Sequence, residues 1–264
     1  MSTPFISRTG GILSADIAVP DHEREQRFYA RVLTTGDTPL WRDDLMNARG
    51  IPVIGLGERT ADLEHLPLQW MPHIQVDDVA ASVEQALAHG GRELMHGRDD
   101  AGNSQYAVLA DPNGAAFGII PVVPPEMLPP AGDDAEGAAL TVGCIAWVDL
   151  TVPDAAATRD FYQQVVGWTP QDVEMKDGIE RYADFNMLAG DGNPGAGICH
   201  ARGVNASLPP TWMLYLPVSD LAESLRRVTT EGGRIVHEAR KSDDELFYAV
   251  IEDPVGVTLA LMPG

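Results

Sequence analysis

The stretch WMPHIQVDDVAASVEQALAHGGRELMHGRDDAGNSQYAVLADPNGAAFGIIP, residues 70–121, decides the fold. It opens with an apolar run that ends at Asp78, a residue type suited to N-cap a helix. Val79, Val83, Ala86 and Leu87 then recur at helical spacing, which predicts a helix from about Val79 to His89. Gly90-Gly91 stops it, as a left-handed cap does. Three short strands follow at about 92–96, 105–110 and 115–120. Between the last two, Asp111-Pro112-Asn113-Gly114 reads as a turn, with Pro pre-set at its second position. The unit is β-α-β-β-β.

The same order returns 142 residues later. Trp70-Met71 falls on Trp212-Met213, Gly90-Gly91-Arg92 on Gly232-Gly233-Arg234, Tyr106-Ala107-Val108 on Tyr248-Ala249-Val250, and the Asp111 turn on Asp253-Pro254-Val255-Gly256. Nearer the N-terminus the offset is 133. Asp16 falls on Asp149, Val19-Pro20-Asp21 on Val152-Pro153-Asp154, and Phe28-Tyr29 on Phe161-Tyr162. The change of offset places a nine-residue insertion in the second copy, between Tyr162 and Trp212. Such duplication means two homologous halves. Within each half, ILSADIAVPD followed by a helix is similar to WMPHIQVDDV followed by a helix, giving four β-α-β-β-β units and an α+β fold. The expected domains are 1–123 and 139–264. Residues 124–138, rich in Pro, Gly and acid, form the expected linker.

The chain has 264 residues, 44% of them apolar, which suits packed cores rather than disorder. A net charge of −21 argues against nucleic acid and anionic membrane as partners. No apolar run reaches a membrane span, and the N-terminus has no secretory pattern. Cys144 and Cys199 form no CxxC, so free thiols and a cytoplasmic location are expected. There is no nucleophile elbow, phosphate loop or dinucleotide fingerprint.

The order of these motifs (a strand ending VPD or VDD, a helix with Phe-Tyr, a Trp-led strand, a Gly-Gly stop, a DPxG turn) resembles the vicinal oxygen chelate superfamily. That group holds glyoxalases, bleomycin-resistance proteins and extradiol dioxygenases. The resemblance covers nearly the whole chain apart from the linker. It implies two tandem glyoxalase/bleomycin-resistance-type domains, each curling two units around a cleft. In metal-dependent members, ligands come from the first and last strands of each unit. Here the first-strand positions hold Ser14, Met71, Trp147 and Met213, and the last-strand positions hold Gly118, Ala260 and neighbours of Val53–Gly55 and Ala196–Ile198. These are poor ligands for a hard divalent ion. No metal ligand and no cofactor are therefore expected, and a divalent ion at shifted ligands is the alternative.

Strand alternation points to Asp16 and His73 in the first cleft, and to Asp149 and Tyr215 in the second. Asp16 with His73 is the minimum for a general base. The plainer role for both carboxylates is structural. Ser14, Met71, Trp147, Asp149, Met213 and Tyr215 are candidate ligand contacts, with Tyr182 and Trp41 as further aromatics at pocket positions. Trp70, Trp212, Phe28, Tyr29, Phe161 and Tyr162 are assigned to the core. His22, His65, His89 and His96 fall in helix or loop contexts, and Cys199 with His200 is a weaker candidate thiol site. Two functions fit: a metal-free small-molecule binder, or a lyase, isomerase or dioxygenase/hydroxylase of the same group. A regulatory or assembly module is a third. The partner expected is a small molecule, and the chain a monomer or homodimer. Which half keeps the working cleft is open at this point.

Overall fold

The computed structural model describes residues 7–34, 41–42, 45–48, 51–128, 142–241 and 243–264. Among the described residues, two eight-stranded sheets carry four α-helices. In the first half, β1 (Ile12–Val19), α1 (His22–Leu33), β2 (Trp41–Arg42), β3 (Leu45–Ala48) and β4 (Ile51–Glu58) form one unit. The second unit is β5 (Met71–Val76), α2 (Val79–Ala88), β6 (Arg92–Arg98), β7 (Ser104–Ala110) and β8 (Ala116–Pro121). The second half repeats this. It runs β9 (Trp147–Val152), α3 (Ala155–Val166), β10 (Thr169–Asp177), β11 (Glu180–Leu188) and β12 (Pro194–His200), then β13 (Trp212–Val218), α4 (Leu221–Thr230), β14 (Arg234–Arg240), β15 (Leu246–Glu252) and β16 (Thr258–Pro263). The strand orders are β2-β3-β4-β1-β5-β8-β7-β6 and β10-β11-β12-β9-β13-β16-β15-β14. This is the expected α+β architecture of four repeated units. In each sheet the two units join where their first strands pair antiparallel.

Local signals account for the element ends. Asp78, Asp154 and Asp220 each accept a backbone N–H of the following helix, at 3.0, 3.0 and 2.9 Å. Asp21 stands at the same place but makes no side-chain cap bond. Gly90 closes α2 at φ +89°, a conformation that favours glycine. The nine-residue insertion lengthens a hairpin. It falls between α3, which ends at Val166, and β12, which starts at Pro194, where β10 and β11 have nine residues each. The expected linker lies mostly outside the described residues, and its described start forms a short 3-10 turn at Pro125–Met127.

One hydrophobic core runs through both halves. α1 packs on α4 and α2 on α3, so the helical faces of the two sheets are joined. Trp70, Trp212, Phe28, Tyr29, Phe161 and Tyr162 all lie in this layer, at most 3% exposed. The two helix contacts differ in chemistry. Tyr29 Oη donates to Asp253 at 2.7 Å, with Glu25 fully buried beside them. Its counterpart uses Thr158, whose Oγ1 accepts from Asn113 at 2.9 Å. Burial first, and then the neighbouring Asp253 carboxylate, push the Glu25 carboxyl up to about 8. The N-terminal segment ties the halves further, with Trp168 Nε1 donating to Gly10 O at 2.9 Å and Arg8 pairing with Asp191 at 2.5 Å.

Candidate functional site: two clefts with different contents

On each sheet the side chains facing away from the helices form a cleft. In the first half, Ser14 and Asp16 alternate with the buried Leu13, Ala15 and Ile17 along β1. Ser14 stands directly across from His73, and Asp16 across from Met71. Ser14 Oγ lies 2.9 Å from His73 Nδ1, and His73 Nε2 lies 3.4 Å from Asp16 Oδ2. The three side chains thus form a chain with the imidazole in the middle. The longer contact is a weak hydrogen bond or ion pair. When Nε2 carries the proton toward Asp16, Nδ1 is the acceptor for the Ser14 hydroxyl.

Glycine makes room for this ring. His73 pairs with Gly118 on β8, and a Cβ at Gly118 would come 2.6 Å from His73 Cδ2. Gly55 pairs with Asp16 on β4. The cavity measures about 770 Å³, and Met71, Met95, Leu63, Leu66, Val108 and Tyr106 give it apolar walls. Arg59 fixes the segment that carries Leu63 and Leu66, donating to Glu64 O at 2.9 Å and Leu66 O at 2.5 Å. Tyr106 lies flat on Gly97, where any Cβ would meet its ring at 2.1 Å. Its hydroxyl reaches Met95 Sδ at 3.8 Å.

The second cleft holds the same positions with larger groups. Trp147 replaces Ser14, Tyr215 replaces His73, and Ala260 replaces Gly118. Trp147 Nε1 donates to Asp149 Oδ1 at 2.6 Å, and Tyr215 also hydrogen-bonds Asp149. Tyr215 packs edge-on against Tyr248 at 5.3 Å. Met213, Tyr215, Val250 and Ala260 are buried together, with Trp147, Leu208, Tyr248 and Met262 against them. Burial raises the Asp149 carboxyl, opposed by its two donors. Burial and the adjacent Asp149 also raise the Tyr215 hydroxyl.

The structure therefore brings Asp16, Met71 and His73 to the wall of an open cavity, with Ser14 bonded to His73 behind it. It brings Trp147, Asp149 and Tyr215 together by hydrogen bonds, with Met213 buried beside Tyr215. Of Trp41 only the backbone is described. Tyr182 lies on β11, edge-on to His200 at 5.5 Å. Cys199 and His200 do not form a thiolate pair. His200 Nδ1 bonds Asp184 Oδ1 at 3.0 Å, while burial and then Asp149 and Asp184 push the thiol up. His96 lies on β6 rather than in a helix or loop, held between Glu93 and Ser104. Nothing in the sequence pattern marks Met95 or Gly97 for this cleft, and Gly118 stands out only as a ligand position without a side chain. Tyr106 stood out only as part of the repeat.

The metal positions of the resembled superfamily do not fit a divalent ion. Ser14 is engaged with His73, Met71 is a thioether, and Gly55 and Gly118 offer no side chain. Among the described residues no three His, Cys, Asp or Glu side chains converge.

Comparison with known proteins agrees with the fold. Residues 14–120 match the glyoxalase-like domain model, and residues 144–261 match that of the glyoxalase/bleomycin resistance protein/dioxygenase superfamily. The chain belongs to the vicinal oxygen chelate superfamily, with two glyoxalase-type domains in tandem. Within the superfamily it is 30% identical over 179 residues to the anthracycline biosynthesis protein DnrV of Streptomyces peucetius, a match spanning 59% of that protein's length. It is 24% identical to CFP32 of Mycobacterium tuberculosis, a candidate glyoxylase, over 94% of this chain and 92% of that one. Among solved structures, 2,2',3-trihydroxybiphenyl 1,2-dioxygenase of Sphingomonas wittichii superposes with a TM-score of 0.56 at 15% identity, covering 98% of this chain and 91% of that one. A variant of 4-hydroxymandelate synthase from Streptomyces coelicolor gives 0.54 at 12% identity, covering 97% and 93%. These structural likenesses concern the fold.

Proposed function

We propose that this vicinal oxygen chelate protein binds a small, largely apolar molecule in its first-half cleft without the superfamily's metal. The observation that carries the reading is the open 770 Å³ cavity, which has Asp16 and His73 on its wall among apolar side chains. The volume falls within the range of small-molecule sites, about 300–1,000 Å³. The apolar walls supply affinity and the few polar groups orientation. The likeness to an anthracycline biosynthesis protein is consistent with a polycyclic ligand. The second half serves as scaffold, joined through α1–α4 and α2–α3.

A fluorescence titration with a neutral apolar dye tests the reading, repeated on Met95→Trp, which fills the cavity from its wall. Saturable binding that Met95→Trp abolishes supports it. Elemental analysis of protein purified without chelators tests the metal. About one transition ion per chain would overturn the metal-free part.

The Ser14–His73–Asp16 chain favours one second reading, an acid–base enzyme of the lyase, isomerase or dioxygenase/hydroxylase kind. Here Asp16 holds the imidazole tautomer and Nδ1 accepts a proton through Ser14. In that case His73→Gln abolishes turnover while leaving ligand affinity within a few-fold. A substrate screen that yields turnover in His73→Gln as fast as in the parent would refute it.

A further inference from the structure

We propose that the first cleft selects planar apolar molecules that carry a protonated amine, with Asp16 as the counter-ion. The proposal rests on the cleft being a binding site. It adds the charge of the occupant, which the cavity's size and apolarity leave undefined.

The argument starts from what lines the cavity. Its described walls contain no Lys or Arg, and Gln105 is a neutral polar side chain at the rim. The carboxylate is Asp16. It touches His73 through one oxygen, and its side chain is 56% exposed. A carboxylate at a cavity wall without a strong cationic partner attracts a cation and repels an anion brought beside it. Asp149, the counterpart, shows the alternative. There two donors, Trp147 Nε1 and the Tyr215 hydroxyl, satisfy the carboxylate from within the protein. Ser14 and His73 replace those donors in the first half, and their smaller side chains leave Asp16 facing the cavity.

The walls suit the rest of such a ligand. Met71 and Met95 present polarisable thioethers, which make favourable contacts with aromatic rings. Tyr106 is 43% exposed and offers a ring at the cavity wall, where a cation or an aromatic edge is favoured. The net charge of −21 adds a long-range field that concentrates cations and depletes anions. A carboxylate or phosphate ligand would meet Asp16 with no described cation to offset it.

Three anthracene probes with matched size separate the charge from the ring: 9-aminomethylanthracene, 9-hydroxymethylanthracene and anthracene-9-carboxylate. Binding is read by anthracene fluorescence near neutral pH at about 0.15 M salt, where distant surface charges are screened. The amine is expected to bind about tenfold tighter than the alcohol, and the carboxylate weakest. Asp16→Asn brings the amine down to the alcohol's affinity and leaves the alcohol unchanged. Glu84→Gln, on the outer face of α2, leaves all three unchanged. Melting curves establish that each variant is folded. If all three probes bind alike, or the carboxylate binds best, charge selection is overturned while the cleft reading stands. An amine preference that survives Asp16→Asn overturns it as well. If no probe binds, or Met95→Trp alters none of them, the cleft reading falls and the proposal with it.

Discussion

The two clefts of this molecule are built on one strand plan and hold different side chains around a shared carboxylate. In the second, a tryptophan and two tyrosines lock Asp149 into an aromatic cluster. In the first, serine, histidine and glycine at the matching positions leave a cavity and an exposed Asp16. The carboxylate is common to both, so its presence alone says little about function. What differs is whether the protein supplies its partners. The tyrosine shared by both halves makes the same point. Tyr248 packs on Tyr215, whereas Tyr106 packs on Gly97, where the second half has Ala239.

Exchanging the contents is the most direct way to break the comparison. The triple variant Ser14→Trp, His73→Tyr, Gly118→Ala writes the second cleft's residues into the first. It is expected to weaken binding of an apolar dye by about a hundredfold, roughly 2.7 kcal/mol. Unchanged dye affinity in a folded triple variant would show that binding lies elsewhere.

The reverse change tests whether the second cluster is scaffold. Tyr215→Ala removes a buried ring and one of the donors to Asp149. Loss of stability on the order of 3 kcal/mol in urea denaturation is expected. A loss under about 1 kcal/mol would mean the cluster contributes little packing.

The helix contacts offer a second comparison, of Glu25 with its counterpart Thr158. Glu25 has its pKa raised from 4.5 to about 8 in the folded protein by burial and by Asp253. The folded state then binds a proton that the unfolded state releases. Its contribution is fully present below about pH 4.5 and is lost as pH rises toward 8, with a slope of at most about 1.4 kcal/mol per pH unit. Glu25→Thr should flatten the dependence of melting temperature on pH across that window. Parallel curves for parent and variant would contradict the assignment.

The smallest expected effect is at Gly118. Gly118→Ala forces the His73 ring to move, because the new methyl would stand 2.6 Å from Cδ2. Stability should change by less than about 1 kcal/mol, since a cleft-facing ring can rotate away. The imidazole resonances of His73 should shift as the Ser14 contact breaks. Unshifted resonances would show that the glycine is not required for the ring's placement.

Much of this was legible in the sequence. The repeat offsets located the halves and the insertion, which the structure shows as the lengthened β10–β11 hairpin. Period-two alternation placed Asp16 and His73 on one face. It could not show that Ser14 would bond the imidazole, because that depends on cross-strand register. Nor could it separate an open cleft from a filled one. His200 shows the same limit: its partner Asp184 is 16 residues away and comes within reach only through the pairing of β11 with β12.

By itself, the sequence determined the unit, its fourfold repetition and the division into core and cleft faces. These follow from local propensity, capping and periodicity, which act over a few residues. Tertiary structure alone decided which carboxylate takes its donors from within the protein and which is left facing a cavity. Those outcomes turn on side-chain volumes meeting across strands far apart in the chain, where one methyl group at Gly118 or Gly97 changes what fits.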